Sequence, residues 1–366
     1  MRKIFILGGS QLQLDLILEA KKMFFYTIVL DMNKTCIGAK WCDEFLPIDI
    51  SDKELILEKA REYQIDAILT SATELGNLTA CWVGEALGLN SNTYEVAINT
   101  SNKEKMKEIF LQHNIRTARY QIFQNKNEIK WDKFPCIVKP TDSSAGRGVS
   151  YCANKKELLL KYAEASVYSK NKNILIEEYI LGEQFSIETI SVRGRHQVVT
   201  VTKEYIRDIP NIVETHQEIP AKINNELKKK LESFTLNILD KFKIQYGACH
   251  IEVRVDIDAN IYIIELASRI GGWRTEMISL ALGVNYSQLL LFSALNIYRK
   301  VNISDGYSSF VKLILDERNL EEYKIKKSLA ELTIFEPQVI NTEIQVKSCQ
   351  NLAEAYGYYF ILEKTQ

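Results

Sequence analysis

The chain has 366 residues, 46% hydrophobic and 25% charged, with a formal net charge of −1. This is the composition of a globular protein of two or three structural units. It carries no basic footprint for nucleic acid and no apolar run near the roughly 18 residues of a membrane span. Seven cysteines, odd in number and without a Cys-x-x-Cys, argue for reduced thiols in a cytoplasmic protein rather than a disulfide framework or a zinc site.

In chain order, Met1 to Gly9 reads as a first strand (Ile4–Leu7), not a signal peptide. Leu12 to Met23 has helical apolar spacing, Thr27–Leu30 is a second strand ending in Asp31, Glu54 to Tyr63 is a helix, and Ala67–Leu69 is a third strand. Strands alternating with helices predict a parallel sheet in an α/β unit over residues 1–95. The Gly8-Gly9 turn does not fit Gly-x-Gly-x-x-Gly, since Gln-Leu-Gln fills positions 11–13, so a tight strand-to-helix turn is expected there. A second unit opens near Ser101, which can cap a helix running to about His113. Residues 118–175 form a small mixed segment with strands Tyr120–Phe123, Cys136–Lys139 and Val149–Cys152 and a helix from Lys156 to Ala165. Longer strands follow at Ile174–Tyr179, Phe185–Val192 and His196–Lys203. Helices are expected at Leu227–Phe242 and Asn285–Tyr298, and a strand at Ser309–Leu315 within a mixed tail from about residue 305.

Three stretches carry chemistry. Lys139 closes an apolar strand and is followed at once by Thr141-Asp-Ser-Ser-Ala-Gly-Arg-Gly148. A lysine fixed at a strand end is a stiffly held cation, and a Gly/Ser-rich loop can offer N–H groups and hydroxyls to phosphate oxygens. The same pattern also suits a plain hairpin connection. Next, Ile174-Leu-Ile-Glu177-Glu178-Tyr179-Ile180-Leu-Gly182-Glu183 runs from strand into glycine turn. Main-chain groups there can pair with an adenine edge, and a carboxylate can accept ribose hydroxyls; an acidic, solvated strand end is the alternative.

The third is Cys249 to Arg269. Two alternating, β-branched runs flank Asp258-Ala259-Asn260, a hairpin signature. A turn centred on Asp258-Ala259 sets Glu252 directly across from Glu265, with Cβ atoms roughly 4.5–5.5 Å apart. Like charges at that distance call for a compensating hard cation such as Mg²⁺, shared with substrate phosphates. Arg269 follows as a partner for developing phosphate or oxyanion charge. The competing interpretation is a solvated sheet face with Glu252 paired to Arg254.

Taken in this order, the elements resemble the ATP-grasp superfamily over nearly the whole chain. The resemblance implies an ATP-grasp fold, mixed α/β and α+β, with a Rossmann-like N-terminal domain (1–95), an ATP-grasp domain (96–304, lid 118–175) and a C-terminal α+β segment (305–366). It implies ATP with Mg²⁺ or Mn²⁺. Lys103, Lys139 and the loop residues Ser143, Ser144, Ala145, Gly146 and Gly148 would serve the phosphates. Glu177, Glu178, Tyr179 and Ile180 would read adenine, Glu183 would hold ribose, and Glu252 and Glu265 would bind metal. The family's usual Glu-x-Asn-x-Arg is here Glu265-Leu-Ala267-Ser-Arg269, without the asparagine ligand. That variant, followed by Gly271, Gly272 and Trp273, looks like the L-amino-acid ligases that make dipeptides. Ile212-Val-Glu214-Thr-His216-Gln-Glu-Ile-Pro220 is similar to their Val-Glu-x-Gly-His-x-x-Pro loop, one residue shorter and without its glycine. By this resemblance Arg269, Glu214 and His216 are catalytic candidates, Gly271, Gly272 and Trp273 line the substrate pocket, and the Gly271-Gly272 N–H groups are oxyanion donors. His216 could instead be a surface loop histidine, and Trp273 plain core. The expected activity is an ATP-dependent carboxylate–amine ligation through an acyl phosphate, on small-molecule carboxylate and amine substrates of amino-acid type. A homodimer is the candidate assembly. A carboxylase of the biotin carboxylase or purine carboxylation type and a non-catalytic nucleotide-binding module are the alternatives.

Overall fold

The computed structural model describes residues 1–143, 146–207, 213–329, 333–336, 340–343, 346–347, 349 and 354–365. Three sheets organise it. The first is parallel, in order β3-β2-β1-β4, from β1 (Lys3–Leu7), β2 (Tyr26–Leu30), β3 (Glu44–Leu46) and β4 (Ala67–Leu69). Ile4 to Leu7 and Ile28 to Leu30 are fully buried, as expected of parallel strands covered on both faces. The Gly8-Gly9 turn is tight, and the Gly9 N–H donates to Asp31 Oδ2 at 2.8 Å.

The second sheet, order β5-β8-β6-β7, is antiparallel, from β5 (Tyr120–Phe123), β6 (Cys136–Pro140), β7 (Ser150–Cys152) and β8 (Ile174–Glu178). The helix Lys155–Val167 covers it. Asn154 caps that helix, while Glu157 reaches back to the Ala153 N–H.

The third sheet has eight strands: β9 (Glu183–Val192), β10 (Arg195–Ile206), β11 (Glu214–Ile219), β12 (Tyr246–Val255), β13 (Ile261–Ala267), β14 (Tyr307–Ile314), β15 (Thr333–Phe335) and β16 (Gly357–Lys364). Their order is β13-β12-β9-β10-β11-β14-β16-β15. One core, including Phe185, Ile187, Ile251 and Val253, packs on the helices Asn225–Lys241 and Lys103–Gln112. A second core joins this sheet to the first, with Ile4, Ile6, Ile190, Ala248 and Ile278 in one cluster around the helices Arg274–Leu282 and Tyr286–Ala294. No single helix among the described residues is long and apolar enough to cross a membrane.

Three local expectations change. Asn102, not Ser101, caps the helix Lys103–Gln112, its Oδ1 accepting from the Glu104 and Lys105 N–H groups. The segment around Glu214 is a strand, β11, rather than a loop. The helix expected over Asn285–Tyr298 divides from an unforeseen one, Arg274–Leu282, at Gly283 (φ 64°), where the left-handed conformation ends the first helix.

Candidate active site

The site lies where the second and third sheets face each other, with Lys103, the first residue of the helix Lys103–Gln112, in its wall. Alternation on β9 turns Gln184, Ser186 and Glu188 to one face, with Phe185 and Ile187 in the core behind. On β12 the same face presents His250, Glu252 and Arg254. Glu252 faces Glu265 in register, as expected, although Val253 already faces Ile263. A bulge at Ile264 absorbs the extra residue, so the opposed carboxylates depend on a ladder irregularity and not on the turn alone. Together these strands, the Lys139 strand end and residues 269–274 enclose a cavity of about 530 Å³.

The lysines at the Gly-rich-loop end of the cavity already have carboxylates. Lys103 Nζ lies 3.0 Å from Glu265 Oε2 and donates to the Ser143 carbonyl at 3.1 Å, at the root of the Gly-rich loop. Burial works against its charge, but Glu265 outweighs it and the Lys103 pKa is raised. Lys139 Nζ is 2.5 Å from Glu177 Oε1, and Lys107 Nζ is 2.8 Å from the other oxygen. Burial opposes ionisation of Glu177, yet the two lysines bring its pKa down to about 2.

A buried chain of charges runs beneath the opposed carboxylates. Glu188 Oε1 is 2.5 Å from His250 Nδ1, and His250 Nε2 is 3.3 Å from Glu252 Oε1. Burial pulls the imidazole pKa down, but Glu188 raises it to about 10, so His250 is a cation. Burial likewise opposes charge on Glu252, and His250 carries its pKa down to about 2. Arg274, 1% exposed, spans Glu188 (3.2 Å), Glu204 (2.9 Å), Ser186 Oγ (2.8 Å), the Gly272 carbonyl (3.1 Å) and Gln217. Arg269 is held by Glu74 at 2.6 Å. Glu214 is the exception: its Oε2 accepts from Gln217 Nε2 at 2.7 Å, and burial together with Glu204 and Glu252 raises its pKa well above the carboxylate range.

Of the residues singled out from sequence, Lys103, Lys139, Ser143, Gly146, Glu177, Glu178, Tyr179, Ile180, Glu214, Glu252, Glu265, Arg269, Gly272 and Trp273 line this cavity. Others do not. His216 stacks on Tyr205 with centroids 4.0 Å apart on the opposite face of β11. The cause is a bulge: Tyr205 faces His216 but Ile206 faces Glu214, so Thr215 is the extra residue and Glu214 shares a face with Gln217. Glu183 points away by strand alternation and pairs with Lys203, and Gln184 takes its place in the cavity wall. Gly148 lies outside the wall; so does Gly271, whose N–H already donates to Glu188 Oε2 at 3.3 Å and is not an open oxyanion donor. A Cβ on Gly271 would come within 2.6 Å of His250 Nδ1, so glycine is what lets this turn press on the charged chain. Glu178 and Tyr179 N–H groups are spent on the Arg119 and Pro135 carbonyls, which leaves the Ile180 main chain as the open end of the hinge. Ser144, Ala145 and Ile212 lie outside the described residues.

Sequence reasoning missed Glu74, Lys107, Gln184, Glu188, Glu204, Gln217, His250 and Arg274. Two signals were present. Gln184, Ser186 and Glu188 alternate with Phe185 and Ile187, and Lys107 follows Lys103 by one helical turn. Trp273 sits at φ 61°, a left-handed conformation rarely held by a large side chain, directly at the cavity wall.

Two opposed carboxylates offer hard oxygen ligands of the kind Mg²⁺ takes, and that ion usually shares such a pair with phosphates. No group of three or more His, Cys, Asp or Glu among the described residues forms a metal cage. The Glu252–Glu265 pair fits an ion that also takes oxygens from phosphate.

Comparison with known proteins agrees with this geometry. Residues 132–277 match the ATP-grasp domain family. A formate-dependent phosphoribosylglycinamide formyltransferase of Prochlorococcus marinus is 30% identical over 199 residues, 52% of this chain and 50% of that one. The chain thus spans about half the length of the curated relatives it matches. An L-amino acid ligase from Bacillus licheniformis superposes with a TM-score of 0.79 at 21% identity, covering 100% of this chain and 93% of the other. The biotin carboxylase domain of a Hydrogenobacter thermophilus 2-oxoglutarate carboxylase, solved with MgADP, ADP and bicarbonate, gives 0.77 at 16% identity over 100% and 86%. At such identities the likeness is one of fold. With the fold, the domain match and the opposed carboxylates in agreement, the chain has the ATP-grasp fold and carries an ATP-grasp domain over residues 132–277.

Proposed function

We propose that this protein is an ATP-dependent, ADP-forming carboxylate–amine ligase. The observation that carries the reading is the opposed Glu252–Glu265 pair sharing one cavity with Lys103 and Lys139. In this reading Lys103 and Lys139 leave their carboxylates to hold the phosphate chain, and the Ile180 main chain and Glu178 meet the adenine. Gln184, rather than Glu183, is the strand residue turned toward the ribose. Mg²⁺ held by Glu252 and Glu265 would neutralise phosphate charge during transfer. Transfer of the γ-phosphoryl group to a substrate carboxylate gives an acyl phosphate; an amine attacks the acyl carbon, and phosphate leaves with the C–O bonding pair. Arg269 lies beside the reacting region, and closure of the cavity over bound substrates would exclude water that hydrolyses the acyl phosphate.

The inner end supports substrates of amino-acid type. Leu12, Ala72, Ile206, Val213 and Trp273 supply apolar wall. Both arginines there, Arg269 and Arg274, already carry carboxylates. Glu214 is a carboxyl held without a cation in contact, suited to an ammonium group. The second reading takes formate as the carboxylate, favoured by the 30% identity to the formate-dependent formyltransferase.

The deciding experiment measures ADP release with amino acids in pairs, with formate plus phosphoribosylglycinamide, and with bicarbonate, followed by product mass. Amino-acid-dependent ADP release with a mass one water below the summed pair is expected. Release only with formate or with bicarbonate would move the protein to the second reading or to a carboxylase, and no release with any of them would refute the ligase.

A further inference from the structure

Lys107 does not line the cavity, yet it is among the largest fully buried side chains, 1% exposed. Its ammonium reaches Glu177 Oε2 at 2.8 Å and Thr117 Oγ1 at 2.6 Å. Thr117 in turn donates to the Ile263 carbonyl at 2.8 Å, where residues 117 and 263 form an isolated parallel bridge. Lys107 is therefore anchored from behind by the third sheet. The other oxygen of Glu177 holds Lys139 at 2.5 Å, and both Glu177 and Lys139 do line the cavity.

The arithmetic of charge makes this arrangement informative. Two ammonium groups and one carboxylate leave a net charge of +1, buried to within a few per cent of exposure. A Lys139–Glu177 pair alone would be neutral and closed on itself. A phosphate entering the cavity must draw Lys139 from Glu177, and in a low-dielectric interior that competition is strong. With Lys107 on its far oxygen, Glu177 shares its charge between two cations, so its hold on Lys139 is weaker. Once Lys139 turns to phosphate, Glu177 still has a partner and is not stranded as a buried, unpaired carboxylate.

We propose that Lys107 is a positioning residue for the polyphosphate: it occupies Glu177 from behind and so makes Lys139 available to the phosphate chain. This rests on the ATP reading of the cavity. Lys107 touches no ligand in this role, and Thr117 fixes where its charge stands.

Calorimetric binding of ADP to the full chain, with and without Mg²⁺, tests it. Lys107→Met should weaken ADP binding by about tenfold or more, since it leaves Lys139 on an undivided carboxylate. Adding Glu177→Gln to that variant removes the carboxylate and should return affinity to within roughly threefold of wild type, the size of one neutral hydrogen bond. Lys107→Arg, which keeps the charge, should bind nearly as wild type. A purely structural lysine predicts the opposite for the double variant, which would bind as weakly as Lys107→Met or worse; that result, or wild-type affinity in Lys107→Met, overturns the proposal. Should Lys107→Met fail to fold alone, the double variant decides, a loss of about tenfold or more again overturning it. ADP binding by wild type with the variants out of order defeats this proposal only; no ADP binding by wild type defeats the ATP reading and this proposal with it.

Discussion

Arg274→Met should destabilise the protein by about 3–5 kcal/mol, the cost of removing one partner from a buried ion pair. The figure follows from what the guanidinium holds. It is 1% exposed and lies 3.2 Å from Glu188 and 2.9 Å from Glu204, both buried on strands of the third sheet. Methionine restores much of the stem's volume, so the loss is mainly electrostatic. Glu188 keeps His250 and Glu204 keeps its bond from Gln184 Nε2 at 2.8 Å, which holds the estimate inside that range. The pH dependence has a definite sign. In the wild type the Glu188 pKa is lowered against burial, by His250 first and then Arg274. A lowered carboxylate contributes stability above its unfolded pKa of about 4.3 and loses that contribution as pH falls. The gap between wild type and variant should therefore be full at pH 7 and narrow in acid. Urea unfolding at several pH values measures both. A loss below about 1 kcal/mol, or a gap that stays constant into acid, would refute the view of Arg274 as the keystone of the charged chain.

Glu265→Gln should remain folded and lose ADP-forming turnover, because one of two opposed carboxylates is gone and Lys103 loses its 3.0 Å partner; turnover within a few-fold of wild type, read by coupled ADP release with circular dichroism, would remove the metal assignment. Glu214→Gln should raise Tm at pH 8 while lowering activity. The folded pKa of Glu214 is raised, so its charge weakens the folded state as pH climbs past the unfolded value of about 4.3, and the gain should vanish near pH 4. An equal Tm change at both pH values would contradict it. Trp273→Gly should be more stable than Trp273→Ala by about 1 kcal/mol, since φ is 61° there, and both should admit bulkier amino-acid substrates. Equal stability of the two, with an unaltered substrate profile, would return Trp273 to plain packing against Tyr358.

What could be seen in the sequence depended on whether a residue's role was local. The Glu252–Glu265 pairing followed from the turn and strand periodicity, although a bulge at Ile264 was needed to keep it. Lys139 was visible because an apolar strand ends on it. His216 was misplaced because one extra residue, Thr215, inverts the face on which everything beyond it falls, and nothing in the sequence marks that bulge. Glu183 was misassigned through a neglected alternation that Phe185 and Ile187 make plain. The charged chain from His250 through Glu188 to Arg274 joins positions 62 and 86 residues apart on three elements. Each member looks like an isolated polar residue, and only the folded sheet makes them neighbours.

The placement of β16 bears on how the protein is made. This strand, Gly357–Lys364, does not edge the large sheet but lies between β14 and β15, pairing with Tyr307–Ile314 along its full length and with Thr333–Phe335 on its other side. During synthesis β14 has its β11 neighbour early, but its other edge stays open until residues near 364 have left the ribosome. At ~5–20 residues per second that interval is several seconds, in which a strand edge rich in apolar residues is exposed to other chains. Yield in cells should then be more sensitive to changes in β16 than the site chemistry, some distance away on the opposite half of the sheet, would suggest.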